Sequence, residues 1–167
     1  MVIVPSLETI HQLSDQLGRR LLEKNWRVAT AESCTGGAIA AAITAIAGSS
    51  SWFEYGIVSY ANHAKQKLLH VQAQSLDEQG AVSEVVVQQM LTGVLALSNA
   101  NIAVAVSGVA GPSGGSAEKP VGTVWFAWGV ANGVCHTQSF HFVGERNAIQ
   151  QQAVARGLQG LLDLLNH

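Results

Sequence analysis

Apolar residues recur at helical spacing through residues 7–24, at Leu7, Ile10, Leu13, Leu17, Leu21 and Leu22, and predict an amphipathic helix. Arg27-Val28-Ala29-Thr30-Ala31 reads as a short buried strand, followed by an Ala/Ile-rich helix at about 38–46. Residues 52–60, ending Gly56-Ile57-Val58-Ser59-Tyr60, read as a second strand. Asn62 is placed to cap a helix running to about Leu69, and Ser75-Leu76-Asp77-Glu78 fits a capping box for a short helical turn. Ser83 is placed to cap a helix to about Ser98, with Val86, Met90, Val94 and Leu97 along one face. Residues 101–107 form the best buried strand in the chain. Strands near 122–130 and 134–142 meet at Asn132-Gly133, a strong hairpin signal, and an amphipathic helix from Glu145 to Leu165 closes the chain.

Early alternation of strand and helix with a late hairpin predicts one mixed sheet with helices on both faces. No repeat or linker divides the chain, so residues 1–167 are expected to form a single domain.

Composition changes this picture in one respect. Apolar residues make up 48% and charged residues only 12%, about half the usual ~25%. So few charges point to a homo-oligomer, a dimer first, that hides apolar surface. The net charge of −2 and the absence of a Lys/Arg run argue against a nucleic-acid or polybasic membrane partner. Cys34 and Cys135 read as reduced thiols of a cytoplasmic protein. Met1-Val2-Ile3-Val4-Pro5 is too short in its apolar part for a signal peptide and has no basic residues before it. No apolar stretch approaches the ~18 residues of a membrane span.

Four segments can carry chemistry. Glu32-Ser33-Cys34-Thr35-Gly36-Gly37 lies between a strand and a helix, where small residues allow close backbone approach. Unpaired helix N–H groups there suit a phosphate, and the Ser33 and Thr35 hydroxyls add donors; an ordinary capped helix start accounts for the same residues. Gly48-Ser49-Ser50-Ser51 is a polar loop after that helix, and Lys65 follows the next strand. A serine nucleophile needs a base, and a lysine serves when burial or a nearby cation lowers its pKa from ~10.4 to ~7–8. Otherwise Lys65 is a solvated surface charge. Cys34 is a rival nucleophile, since it precedes a helix N-terminus. The loop Ser107-Gly108-Val109-Ala110-Gly111-Pro112 leaves the C-terminal end of the central strand, where open α/β sheets bind ligands. Arg146 can bind phosphate through two N–H groups or pair with Glu145. The histidines form no metal site: His136 and His141 fall on opposite faces of one strand, and no carboxylate or cysteine joins His63 and His70.

Thr30-Ala31-Glu32-Ser33-Cys34-Thr35-Gly36-Gly37, Gly48-Ser49-Ser50-Ser51-Trp52-Phe53, Val58-Ser59-Tyr60-Ala61-Asn62-His63-Ala64-Lys65, Gly80-Ala81-Val82-Ser83, Ser107-Gly108-Val109-Ala110-Gly111-Pro112 and Glu118-Lys119-Pro120-Val121-Gly122-Thr123-Val124 occur in this order. From about Leu7 to Leu165 the chain resembles the CinA C-terminal domain family. The resemblance implies a three-layer α/β/α sandwich with one mixed, mostly parallel sheet, and no metal or organic cofactor. It implies hydrolysis of nicotinamide mononucleotide (NMN) to nicotinic acid mononucleotide and ammonia, by a Ser–Lys centre. Its Gly-variable-Ser loop pattern makes Ser50 the nucleophile, with Lys65 as base and Tyr60, Ser107 and Arg146 completing the catalytic set. Arg146 keeps Lys65 neutral or binds the phosphate. Ser33, Thr35, Gly36, Gly37, Ser49, Asn62, Gly108, Ala110 and Gly111 are then the expected substrate-binding residues, with the phosphate on the Ser33–Gly37 turn. The competing expectations are a non-catalytic nucleotide-binding module and an amidase for another small amide.

Overall fold

A computed structural model describes residues 3–167; Met1 and Val2, part of the segment weighed above as a leader, lie outside the described residues. The elements run α1 (Leu7–Lys24), β1 (Val28–Glu32), α2 (Ala38–Thr44), a 3-10 turn (Ser49–Ser51), β2 (Phe53–Val58), α3 (Asn62–Leu69), α4 (Ala73–Gln79), α5 (Glu84–Leu97), β3 (Ile102–Gly108), β4 (Thr123–Val130), β5 (Cys135–His141) and α6 (Arg146–Leu165). One sheet is ordered β2-β1-β3-β4-β5. The β2–β1 and β1–β3 pairs are parallel and the β3–β4 and β4–β5 pairs antiparallel. The sheet is therefore mixed, as expected, with β4 of the late hairpin alone running against the other four strands.

Side-chain size sorts the two faces. Val28, Ile102, Val104, Val106, Val124, Phe126 and Trp128 pack with α1, α2 and α6. Ala29, Ala31, Ala103, Ala105 and Ala127 form the floor under α3, α4 and α5. Each large side chain so buried contributes ~1.5–3 kcal/mol, while the alanines let the opposite helix layer come close. Close approach recurs within that layer: a Cβ on Gly93 of α5 would stand 2.1 Å from the Leu69 carbonyl oxygen. This is the three-layer arrangement expected of the sequence.

Local caps differ in detail. Ala61, not Asn62, is the N-cap of α3, and Gln72, not Ser75, is the N-cap of α4. Ser75 lies inside α4, where its hydroxyl accepts a hydrogen bond from Gln89. Ser83 is the N-cap of α5, but its hydroxyl donates to the Gly80 carbonyl at 2.7 Å. Among the described residues, no helix is long and apolar enough to cross a membrane.

The parallel register positions the site. Glu32 faces Val58 on one side and Val106 on the other. The next residues, Ser33, Ser59 and Ser107, therefore emerge in a row at the C-terminal edge of the strands. The Ser33 N–H donates to the Val106 carbonyl at 3.1 Å and the Ser59 N–H to the Glu32 carbonyl at 2.8 Å.

Candidate active site

Lys65 sits on the buried side of α3, its side chain 1% exposed, and reaches back to this row. Its Nζ lies 2.8 Å from Ser33 Oγ, 2.8 Å from the Ser59 carbonyl and 3.0 Å from the Tyr60 carbonyl. Burial lowers the amine pKa from 10.5 to about 8, with a weaker opposing pull from Cys34. The two carbonyls can only accept. A neutral amine therefore gives them its two N–H groups and turns its lone pair toward the Ser33 hydroxyl. This is the geometry of a general base beside a serine nucleophile.

The structure does not bring Ser50 to Lys65, and the expected pairing of these two is corrected here. Ser50 is exposed on the 3-10 turn that precedes β2, and its carbonyl accepts from Arg27, which precedes β1. Arg27 also donates to the Ser51 and Phe53 carbonyls and pairs with Glu54. This cluster marks the N-terminal edge of the sheet. The length of β1, roughly 13 Å at ~3.3 Å per residue, separates it from Ser33. Ser49 belongs to the same turn, with its carbonyl bonded to the Trp52 N–H, so it does not line the cleft at Lys65 either.

The Ser33–Gly37 turn also differs from expectation. Its helix start is already occupied by the Glu32 carboxylate, which accepts from the Ile39 N–H at 2.8 Å and the Ala40 N–H at 3.0 Å. The Thr35 hydroxyl donates to the same carboxylate at 2.6 Å. A phosphate would meet a buried carboxylate in place of free donors, which corrects the assignment of the phosphate, and of Thr35 as its ligand, to this turn. Gly36 and Gly37 have φ of 61° and 98°, so they are turn formers, and a Cβ on Gly37 would press within 3.2 Å of Val58. Cys34 is buried and its thiol is pushed up to about 12, chiefly by burial and then by the Glu32 charge. A thiol held protonated at neutral pH is a poor nucleophile.

A cleft of about 350 Å³ opens over the serine row and is lined by Ser33, Tyr60, Asn62, Lys65, Ser107 and Arg146 among others. Gly108, Ala110 and Gly111 form its wall, as the strand-end loop predicts. Arg146, at the start of α6, donates to the Gly111 carbonyl at 2.8 Å and to the Tyr60 hydroxyl at 3.1 Å. It ties three segments together across the cleft, and the lowered Lys65 pKa has burial rather than Arg146 as its cause. Among the described residues no cluster of three or more His, Cys, Asp or Glu could hold a metal ion.

Two contributors escaped the sequence reading. Glu32 holds the turn from beneath, and its signal was a charged residue at the end of a fully buried strand. Gln150 donates to the Cys34 carbonyl at 3.0 Å from α6, and nothing in the local sequence marks it.

Comparison with known proteins gives the family and the fold. The model of the CinA C-terminal domain matches residues 10–165. The nicotinamide-nucleotide amidohydrolase PncC of Enterobacter agglomerans is 52% identical over 157 residues, covering 94% of this chain and 96% of that protein. Its namesake in Escherichia coli strain K12 is 52% identical over 150 residues, covering 90% of this chain and 91% of that protein. The crystal structure of the competence/damage inducible protein CihA from Agrobacterium tumefaciens aligns over the full length of both chains, with a TM-score of 0.92 and 42% identity.

Proposed function

The chain belongs to the CinA C-terminal domain family, and on that premise we propose that it is an amidase converting NMN and water to nicotinic acid mononucleotide and ammonia, with Ser33 as nucleophile and Lys65 as base. The observation that carries this reading is the 2.8 Å contact between Lys65 Nζ and Ser33 Oγ, with both groups buried. The names of the relatives at about half identity support the substrate.

In the first step Lys65 takes the Ser33 proton as Ser33 Oγ attacks the carboxamide carbon. The carbonyl oxygen becomes an oxyanion. The Ser107 hydroxyl, which lines the same cleft, is the donor assigned to that charge. The Lys65 ammonium then protonates the amide nitrogen, and ammonia leaves an acyl-Ser33. Lys65 deprotonates a water, which attacks the acyl carbon and releases the carboxylate as Ser33 recovers its proton.

Arg146 spends two of its five N–H groups on Gly111 and Tyr60. The remaining donors at the cleft, with the exposed hydroxyl of Ser113, support the phosphate at this mouth. Asn62 lines the same rim and is assigned to the ribose. The low charge content supports a homodimer, which the mass measured by light scattering tests. The free thiols of Cys34 and Cys135 support a cytoplasmic location.

The test is chromatography of the products from NMN and from nicotinamide riboside under identical conditions. Nicotinic acid mononucleotide with stoichiometric ammonia is expected, and much slower turnover of the riboside. Binding of NMN without turnover would make the chain a nucleotide-binding module, and equal rates on both would remove the phosphate from the reading.

A further inference from the structure

We propose that Glu32 is a positioning residue, whose buried carboxylate ties Thr35 and the first turn of α2 together and so holds Ser33 Oγ against Lys65 Nζ. The inference rests on the reading of Ser33 as nucleophile.

Glu32 is the last residue of β1 and is 1% exposed. Among the described residues it makes no ion pair. Burial raises its pKa, and hydrogen bonds from Thr35, Ala40, Ile39 and Gly37 oppose the rise. An apolar side chain would fill this strand end without stranding a carboxyl group away from water. The carboxyl group instead gathers donors from both sides of the turn. Oε1 accepts from the Thr35 hydroxyl and the Ile39 N–H, and Oε2 from the Ala40 N–H.

What lies between these anchors explains their use. Ser33 begins a turn that continues through two successive glycines in left-handed conformation, Gly36 and Gly37. Glycine is the residue most free to leave such a conformation. The Ser33 N–H is held by the Val106 carbonyl, but beyond it the turn's own backbone bonds are short-range, from the Gly36 N–H to the Ser33 carbonyl and from the Ala38 N–H to the Thr35 carbonyl. The Glu32 carboxylate closes the segment across a longer span, from the strand end to the second residue of α2 and beyond. Lys65 is fixed separately by the Ser59 and Tyr60 carbonyls. Release of the Glu32 clamp therefore loosens the turn on the C-terminal side of Ser33, and with it the set of the Ser33 side chain, and not the base. A misplacement of about 1 Å between reacting groups costs on the order of 10²-fold in rate.

The experiment compares Glu32→Gln, Thr35→Val and Thr35→Ser with the wild type. It reads kcat and KM for NMN and the rate at which a small fluorophosphonate labels Ser33, all per folded molecule and below the unfolding transition. In Glu32→Gln the amide NH2 must face a backbone N–H whichever way it is turned, because both oxygens of the native carboxylate accept from backbone. We expect kcat to fall about 100-fold in Glu32→Gln and about 10-fold in Thr35→Val, with the labelling rate falling in parallel and KM within about threefold. Thr35→Ser, which keeps the hydroxyl, is expected to stay within about twofold of wild type. If Glu32→Gln does not fold, the Thr35 pair decides alone. Unchanged kcat and labelling in the folded variants, or a change in KM alone, overturns the inference and leaves Glu32 a helix cap. Ser33→Ala runs in the same series. If it loses activity while the other variants keep theirs, only the role of Glu32 fails; if it retains activity, the nucleophile reading fails and the role of Glu32 with it.

Discussion

Lys65 Nζ lies 2.8 Å from Ser33 Oγ, and its two other contacts are carbonyl oxygens that can only accept. With both carbonyls supplied, a neutral amine has its lone pair left for the serine. The pH dependence of the reaction follows. Below about 8 the amine is protonated and cannot accept the Ser33 proton. The kcat/KM for NMN is expected to rise with pH on a single ionisation with its midpoint near 8. Lys65→Arg, which stays protonated throughout, is expected to be inactive across the whole range. A profile flat from pH 6 to 9, measured by ammonia release, would contradict the role of Lys65.

The same burial has a consequence for stability. A folded-state pKa below that of the unfolded chain means that the unfolded chain binds more protons between about 8 and 10.5. Stability from this group therefore rises with pH in that window and is lowest below it. Lys65→Met is expected to abolish turnover while holding or raising Tm at pH 7. Its advantage over wild type should shrink between pH 8 and 10, as the wild type releases the proton. Calorimetric melting of both proteins across that range is the check. An advantage that grows with pH would contradict the sign.

Much of the fold was legible because side-chain period and turn chemistry agree. The hairpin at Asn132-Gly133 forms with Asn132 at φ 57°, and the last helix runs from Arg146 to Leu165, within a residue of the expected span. Lys65, Tyr60, Ser107 and Arg146 came together in the sequence through the family resemblance, and in the structure they line one cleft. The choice between Ser33 and Ser50 was not legible, because local motif says nothing about which edge of the sheet a loop occupies. Parallel pairing sets which serine stands at the edge that Lys65 reaches: Ser33 and Ser59 follow parallel strands, whereas Ser50 precedes one. The occupancy of the α2 start by Glu32 was equally hidden, since a glutamate before a turn reads the same whether it points to solvent or inward.

Cys34 follows the proposed nucleophile yet is expected to be dispensable. Its thiol, pushed up to about 12, remains protonated at neutral pH. Cys34→Ala should keep activity within about threefold of wild type, and iodoacetamide should modify the exposed Cys135 first without loss of turnover. Mass spectrometry of the alkylated protein alongside the assay checks both statements.

Arg146 is expected to act on substrate affinity and not on the base. Arg146→Ala should raise KM for NMN about tenfold or more, with a smaller effect on nicotinamide riboside, which has no phosphate. Because burial sets the Lys65 pKa, the pH midpoint near 8 should stay in place. A midpoint that moves upward in Arg146→Ala would show instead that the guanidinium keeps Lys65 neutral.

The most direct measurement of the central claim is the rate of ammonia release from saturating NMN by Ser33→Ala and Ser50→Ala, assayed beside the wild type and Lys65→Ala. Ser33→Ala and Lys65→Ala are each expected to lose at least about 10³-fold in kcat, the double variant to lose no more than either, and Ser50→Ala to remain within about twofold of wild type. A Ser33→Ala variant that turns over NMN at a near-normal rate, with Ser50→Ala inactive, would contradict the account and return the nucleophile to the opposite edge of the sheet.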